Sequence, residues 1–143
     1  EMRAQEEEMR QNMEEMHATQ EEMERKEAEN QAFYNVINSI NGIAELSLEK
    51  VIKKVNQPFL NYLDLMESDI LGSQLSIHLE KEFVESSTYS RIWEDLKNGT
   101  QVKGEYQLRS KSGHYVHVKA SFAPIKNKFG MPIKYIFVVT GLA

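Results

Sequence analysis

Methionine recurs at every seventh position early in the chain, at Met2, Met9, Met16 and Met23, with Met13 offset onto a second position of the same repeat. Residues 1–32 contain neither Pro nor Gly and are rich in Glu, Gln, Met, Ala, Arg and Lys, all strong helix formers. The spacing predicts one continuous helix carrying a coiled-coil d position and one good a position. Glu6, Gln20 and Glu27 fill the other a positions, so the seam is thin and pairs weakly by itself. Such a stripe also fits a pliable binding surface, a metal-handling tract, or a solitary helix held by pairs such as Glu21–Arg25 and Glu22–Lys26. A strict seven-residue period favours the seam, since nothing in a lone helix needs it.

Phe33, Val36, Ile37 and Ile40 continue the helical spacing with a more apolar face until Asn41-Gly42 breaks it. Ile43–Leu48 and Lys50–Val55 are short, partly alternating runs that predict a hairpin, and Gln57-Pro58 opens a short helix bearing Phe59, Leu60 and Leu63. Asp64 to Gly72 reads as a turn and a second short helix, and Ser73–Phe83 as irregular or broken helix. Ser86, Ser87 or Thr88 caps a helix over Tyr89–Lys97 whose buried face is Tyr89, Ile92, Trp93 and Leu96, stopped by Asn98-Gly99.

The period then changes to two. Val102, Gly104, Tyr106 and Leu108 alternate with polar residues, Lys111-Ser112-Gly113 turns the chain, and Val116, Val118, Ala120 and Phe122 alternate on the return. After a second turn at Asn127–Gly130, Ile133–Thr140 is almost wholly apolar, as expected of a central strand buried on both faces. Two strands, several short helices and three long antiparallel strands make an α+β domain with helices over one face. The expected division is a helical arm over residues 1–35 and a domain over 36–143.

Charge divides the chain in the same way. Its 143 residues carry a net charge of −5, but residues 1–30 hold 11 of the 22 acids and only 4 of the 17 bases, leaving the rest at +2. An acidic arm and a body without a Lys/Arg cluster exclude nucleic acid as a partner. No run approaches the roughly 20 apolar residues of a spanning helix, so no membrane contact is expected of this stretch. The chain starts inside an established pattern and stops at Gly141-Leu142-Ala143, which reads as a piece of a longer protein.

Several of these segments together resemble a known family. The run Val55-Asn56-Gln57-Pro58-Phe59-Leu60, then Leu71-Gly72, Tyr89–Leu96, Gly99, Gly104-Glu105-Tyr106, Lys111-Ser112-Gly113, Ala120–Ile125 and Gly130 is similar to a PAS domain. The likeness is to the bacterial and archaeal sensor type of chemotaxis transducers, histidine kinases and cyclic-dinucleotide enzymes, and it covers roughly residues 36–142. It implies a PAS fold, a five-stranded antiparallel sheet with short helices on one face. The arm resembles the coiled-coil signalling helix that precedes such domains. Two departures stand out. Asp64-Leu65-Met66 replaces the usual glycine-tyrosine-serine, and Gly141-Leu142-Ala143 replaces the closing Asp-Ile-Thr, whose carboxylate commonly couples the domain to an outgoing helix.

The resemblance implies a cytoplasmic sensor or relay module rather than an enzyme, in a parent protein that can itself be membrane-anchored. Its partners would be a second copy of the chain, the neighbouring domains of the parent, and a small molecule between sheet and helices. Phe59, Trp93, Tyr106, Leu108, Val118 and Phe122 are the candidate cavity residues, and the same side chains can instead fill the space. The dimer contact falls to Met2, Met9, Met13, Met16, Met23, Phe33, Val36, Ile37 and Ile40. The cofactor stays open. The absence of cysteine excludes a cysteinyl-flavin cycle and a thioester-linked chromophore. Heme needs an axial ligand, and Tyr89–Lys97, where the best-known oxygen sensors carry theirs, has no histidine, which leaves His78 as the candidate beside its reading as an ordinary histidine. His114 and His117 lie on a strand, where His117 fits a dimer contact better than a metal, and His17 lies on the arm. No metal-ligand spacing and no strand-turn-helix elbow, phosphate loop or carboxylate pair is present.

Overall fold

The structure is a computed structural model describing residues 2–143; the side chain of Met2, the first seam position, lies outside the described residues. The chain forms two compact units, Glu1–Ile37 and Asn38–Ala143.

The first unit is the helical arm. Helix α1 runs without interruption over Met2–Ile40, as the absence of Pro and Gly dictates, and its last turn belongs to the second unit. Met9, Met13, Met16 and Met23 are each about two-thirds exposed or more, so the stripe faces water on the single chain. The heptad register carries on past them, placing Tyr34 at an a position and Ile37 at a d position. Phe33, Val36, Ile37 and Ile40 are exposed as well. Glu22 accepts both Lys26 at 3.9 Å and Arg25 at 4.0 Å, so Arg25 pairs one turn back at i−3 rather than with Glu21. His17 meets Glu21 at 3.1 Å instead. All these pairs are solvent-exposed and contribute little each.

The second unit is a sheet with short helices on one face. Its strands are β1 (Gly42–Leu46), β2 (Ile52–Val55), β3 (Val102–Arg109), β4 (Tyr115–Lys126) and β5 (Pro132–Leu142), all antiparallel, in the order β2-β1-β5-β4-β3. The register sets Ala44 beside Phe137, Phe137 beside Phe122 and Tyr106 beside Val118, giving one apolar inner face. Over that face lie α2 (Gln57–Leu63), α3 (Glu67–Ile70), a 3-10 turn (Leu75–His78), α4 (Lys81–Val84) and α5 (Ser87–Lys97). They bury Phe59, Leu60, Leu63, Ile70, Leu75, Ile92, Trp93 and Leu96 against the strands.

Capping fixes the helix starts. The Ser86 hydroxyl accepts from the Tyr89 N–H at 3.4 Å, which decides the cap of α5 among the three neighbouring hydroxyl residues. Gly99, at φ +90°, ends that helix where the following chain must turn left-handed. At Gly42 a Cβ would lie 3.0 Å from the Phe59 Cα, so only glycine lets β1 start this close to the backbone of α2.

The β2 edge is shielded and the β3 edge is met at one residue. Along β2, Ile52 donates to Ser73 at 2.8 Å and accepts from Gly72 at 2.9 Å, and the outer side of β3 meets Leu79 opposite Leu108. Strand β5 is not buried on both faces as expected. Strand β5 is central, but only Tyr135, Phe137 and Val139 are buried; Ile136 and Val138, on the other face, are half-buried and Ile133 is exposed. The helical segments of this unit pack their buried residues on the inner face, and the outer face of β5 stays partly exposed.

Candidate functional site

The six candidate cavity residues come together in a single cluster, and all are buried. Phe122 lies against Phe137 in a stack at 4.5 Å between centroids, with Tyr106 edge-on at 5.3 Å and Trp93 edge-on at 5.5 Å. Phe59 closes the other end on Phe137 at 6.1 Å, while Leu108 and Val118 are wholly buried beside the rings. Edge-to-face rings at these separations are mutually favourable. Burial raises the pKa of Tyr106 and of Tyr89, so both phenols stay neutral. The Trp93 indole N–H points toward Tyr89, partly opposing that rise, without reaching hydrogen-bond geometry.

His78 is buried at the end of the 3-10 turn. The Ser73 hydroxyl donates its one proton to the Ile70 carbonyl, so in the 2.8 Å contact between Ser73 and His78 the imidazole Nε2 must donate. That fixes the tautomer and leaves Nδ1 as the nitrogen with a free lone pair. Burial, and secondarily the Arg109 guanidinium, lowers the pKa of His78, so the ring is neutral near pH 7. A heme iron at Nε2 would displace the Ser73 contact. His117 is on the exposed face, 3.4 Å from Glu105. Among the described residues, no three of His, Cys, Asp and Glu form a group able to hold a metal.

Asn56 joins the end of the helix α1 to the domain, a role that sequence reasoning missed. Its side-chain carbonyl accepts from Ile43 N–H at 2.8 Å and from Phe59 N–H at 3.1 Å, capping α2. Its amide donates to the Asn38 carbonyl at 2.9 Å, the Asn38 side chain at 3.0 Å and the Asn41 carbonyl at 2.8 Å. Two N–H groups serve three acceptors, so at least one bond is shared. The only signal in the sequence was an Asn one residue before Gln57-Pro58, which announces a cap and not its distant partners.

Beside Trp93, a groove of about 570 Å³ opens between the β1–β2 turn, α5 and the start of β5. Lys50 sits at its edge in a left-handed conformation, φ 70°, with its ammonium 5.0 Å from the Trp93 ring.

A five-stranded antiparallel sheet in the order 2-1-5-4-3, with short helices on one face and a long leading helix, defines a sensor-type α+β domain. The PAS fold profile matches residues 52–139, most of the chain, and the chain belongs to the PAS family. It is 25% identical over 85 residues to the biofilm dispersion protein BdlA of Pseudomonas aeruginosa, a stretch spanning 59% of this chain and 20% of that relative. Among solved structures, the PAS domain of a protein from Colwellia psychrerythraea aligns with TM-score 0.67 at 13% identity, over 78% of this chain and 95% of that one. A Rhodobacter sphaeroides LOV protein aligns with TM-score 0.64 at 15% identity, over 79% and 68% of the two chains. The Drosophila melanogaster Cycle PAS-B domain with bound ethylene glycol aligns with TM-score 0.59 at 18% identity, over 68% and 94%. These structural likenesses are of fold. No helix of the described residues is long and apolar enough to cross a membrane.

Proposed function

We propose that this PAS domain works as a signal-relay module of a larger cytoplasmic signalling protein, dimerising through the methionine seam of its leading helix. The observation that carries the reading is the Asn56 clamp, which ties the last turn of α1 to β1 and α2 through one side chain. A shift of α2 against the sheet then has a direct mechanical route to the outgoing end of the helix. In a dimer, that shift would alter the crossing or register of the paired helices. Coupling of about 1–3 kcal/mol suffices for such a switch.

The seam is tested by replacing Met9 and Met16 with Glu, which sets four carboxylates against each other in a parallel pair. Light scattering should show a dimer for the native chain and a monomer for the double variant. A double variant that stays fully dimeric would overturn the seam.

The second reading is a structural dimerisation module that binds no ligand between sheet and helices. It draws on the ring cluster, since the six residues expected around a cavity belong to one buried core in which Trp93 and Tyr106 each pack on Phe122. Native mass spectrometry of freshly purified protein separates the two, as a non-covalent passenger adds mass that vanishes on denaturation.

A further inference from the structure

We propose that the groove beside Trp93 binds a small amphipathic carboxylate, an apolar or aromatic body carrying one acid group, outside the core between sheet and helices. Three segments distant in sequence converge to build it: the β1–β2 turn, one face of α5, and the first residues of β5. Its volume of about 570 Å³ lies within the range of small-molecule sites. Trp93 and Tyr135 supply an aromatic floor, their centroids 5.4 Å apart. Leu48 and Met131 stand on its walls 46% and 62% exposed, so large apolar side chains are left in water around a concave surface.

Charge selects the occupant. Lys50 and Lys97 line the groove against the single carboxylate of Glu94, a surplus of one positive charge. Among the described residues neither lysine is within ion-pair distance of an acid. The backbone at Lys50 is itself informative. A φ of 70° is a conformation that glycine or asparagine adopts at least cost, yet lysine stands there and the turn carries its ammonium over the Trp93 ring. An ammonium over the Trp93 ring, with a second lysine on the lining of the groove, complements a carboxylate whose apolar body lies against Leu48 and Met131.

Trp93 is the only tryptophan of the chain and borders both the groove and the core, so its emission reports binding at either, and methyl shifts tell the two apart. Titration with 4-phenylbutyrate should give a saturable change in emission, and the neutral 4-phenylbutanol should bind about tenfold more weakly. The double variant Lys50→Gln, Lys97→Gln should erase that difference. Met131→Asp, at an exposed position, should weaken the acid more than the alcohol. In methyl NMR spectra the acid should shift Met131 and leave Met66 unmoved. No saturable response, an undiminished preference for the acid in the double variant, or shifts centred on Leu108 and Val118 would each overturn the proposal, the last by moving the ligand into the core.

Discussion

At Asn56 one amide does the work of a cap and of a cross-brace. Replacing it with alanine leaves the N–H groups of Ile43 and Phe59 and the carbonyls of Asn38 and Asn41 without their partner. Loss of an N-cap together with unsatisfied half-buried groups should cost about 3 kcal/mol, measured as a lower urea midpoint. Hydrogen exchange should quicken in the last turn of α1 as well as in α2; exchange confined to α2 would mean that the amide is a cap and nothing more. His78 makes a prediction of opposite character, because its native pKa lies below the ordinary 6.5. As pH falls through 6.5 the unfolded chain takes up a proton that the folded chain refuses, so stability drops from that point downward. Between about pH 7 and about pH 5.5 the native protein should lose more stability than His78→Gln; parallel losses would show that the buried imidazole is not responsible. Sequence reasoning left His78 as an ordinary histidine or a ligand, since its burial and the charge of Arg109, 31 residues away in sequence, come from the fold and not from its neighbours in the chain.

Elements were legible where the signal was local and obscure where it depended on what lies across from them. Ser86 and Gly99 frame α5 because capping and left-handed turns are chemistry of a few adjacent residues. The alternation at Tyr106–Leu108 and Val118–Phe122 identified β3 and β4 for the same reason. By contrast, the apolar run of β5 predicted two buried faces, and only one is buried, because helices cover one side of the sheet alone. Periodicity reports which residues avoid water and is silent on the layer that keeps it out. In α1 the same limit applies to the seam, whose partner is a separate chain in the proposed reading. Its weakness is specific: Gln20 and Glu27 occupy a positions where apolar residues would interlock. Gln20→Leu with Glu27→Leu should therefore tighten dimerisation by about tenfold or more in sedimentation equilibrium, each side chain adding buried apolar area at the helix pair. An unchanged dissociation constant would place the contact on another face of α1.

For the whole molecule, the division into a helix and a sheet domain makes stability and association separable. The domain owns a continuous core from Ala44 and Leu46 through Phe59, Trp93 and Phe122 to Val139, and every one of these residues lies beyond the arm. The arm owns no buried residue among those described; its helix stands on propensity and exposed pairs. A chain cut to residues 36–143 keeps Asn38 and Asn41, and with them the Asn56 clamp, so it should fold cooperatively with its core intact. The full chain, if α1 pairs as proposed, gains stability by mass action and its thermal midpoint should rise with protein concentration. The shortened chain should show the same midpoint at every concentration. Concentration dependence that survives removal of the arm would transfer the dimer contact to the sheet, where Ile136 and Val138 are the half-buried apolar residues of the uncovered face. A full chain without any concentration dependence would leave the clamp as a device acting inside a single molecule, with the helix a lever driven by α2 and not a seam.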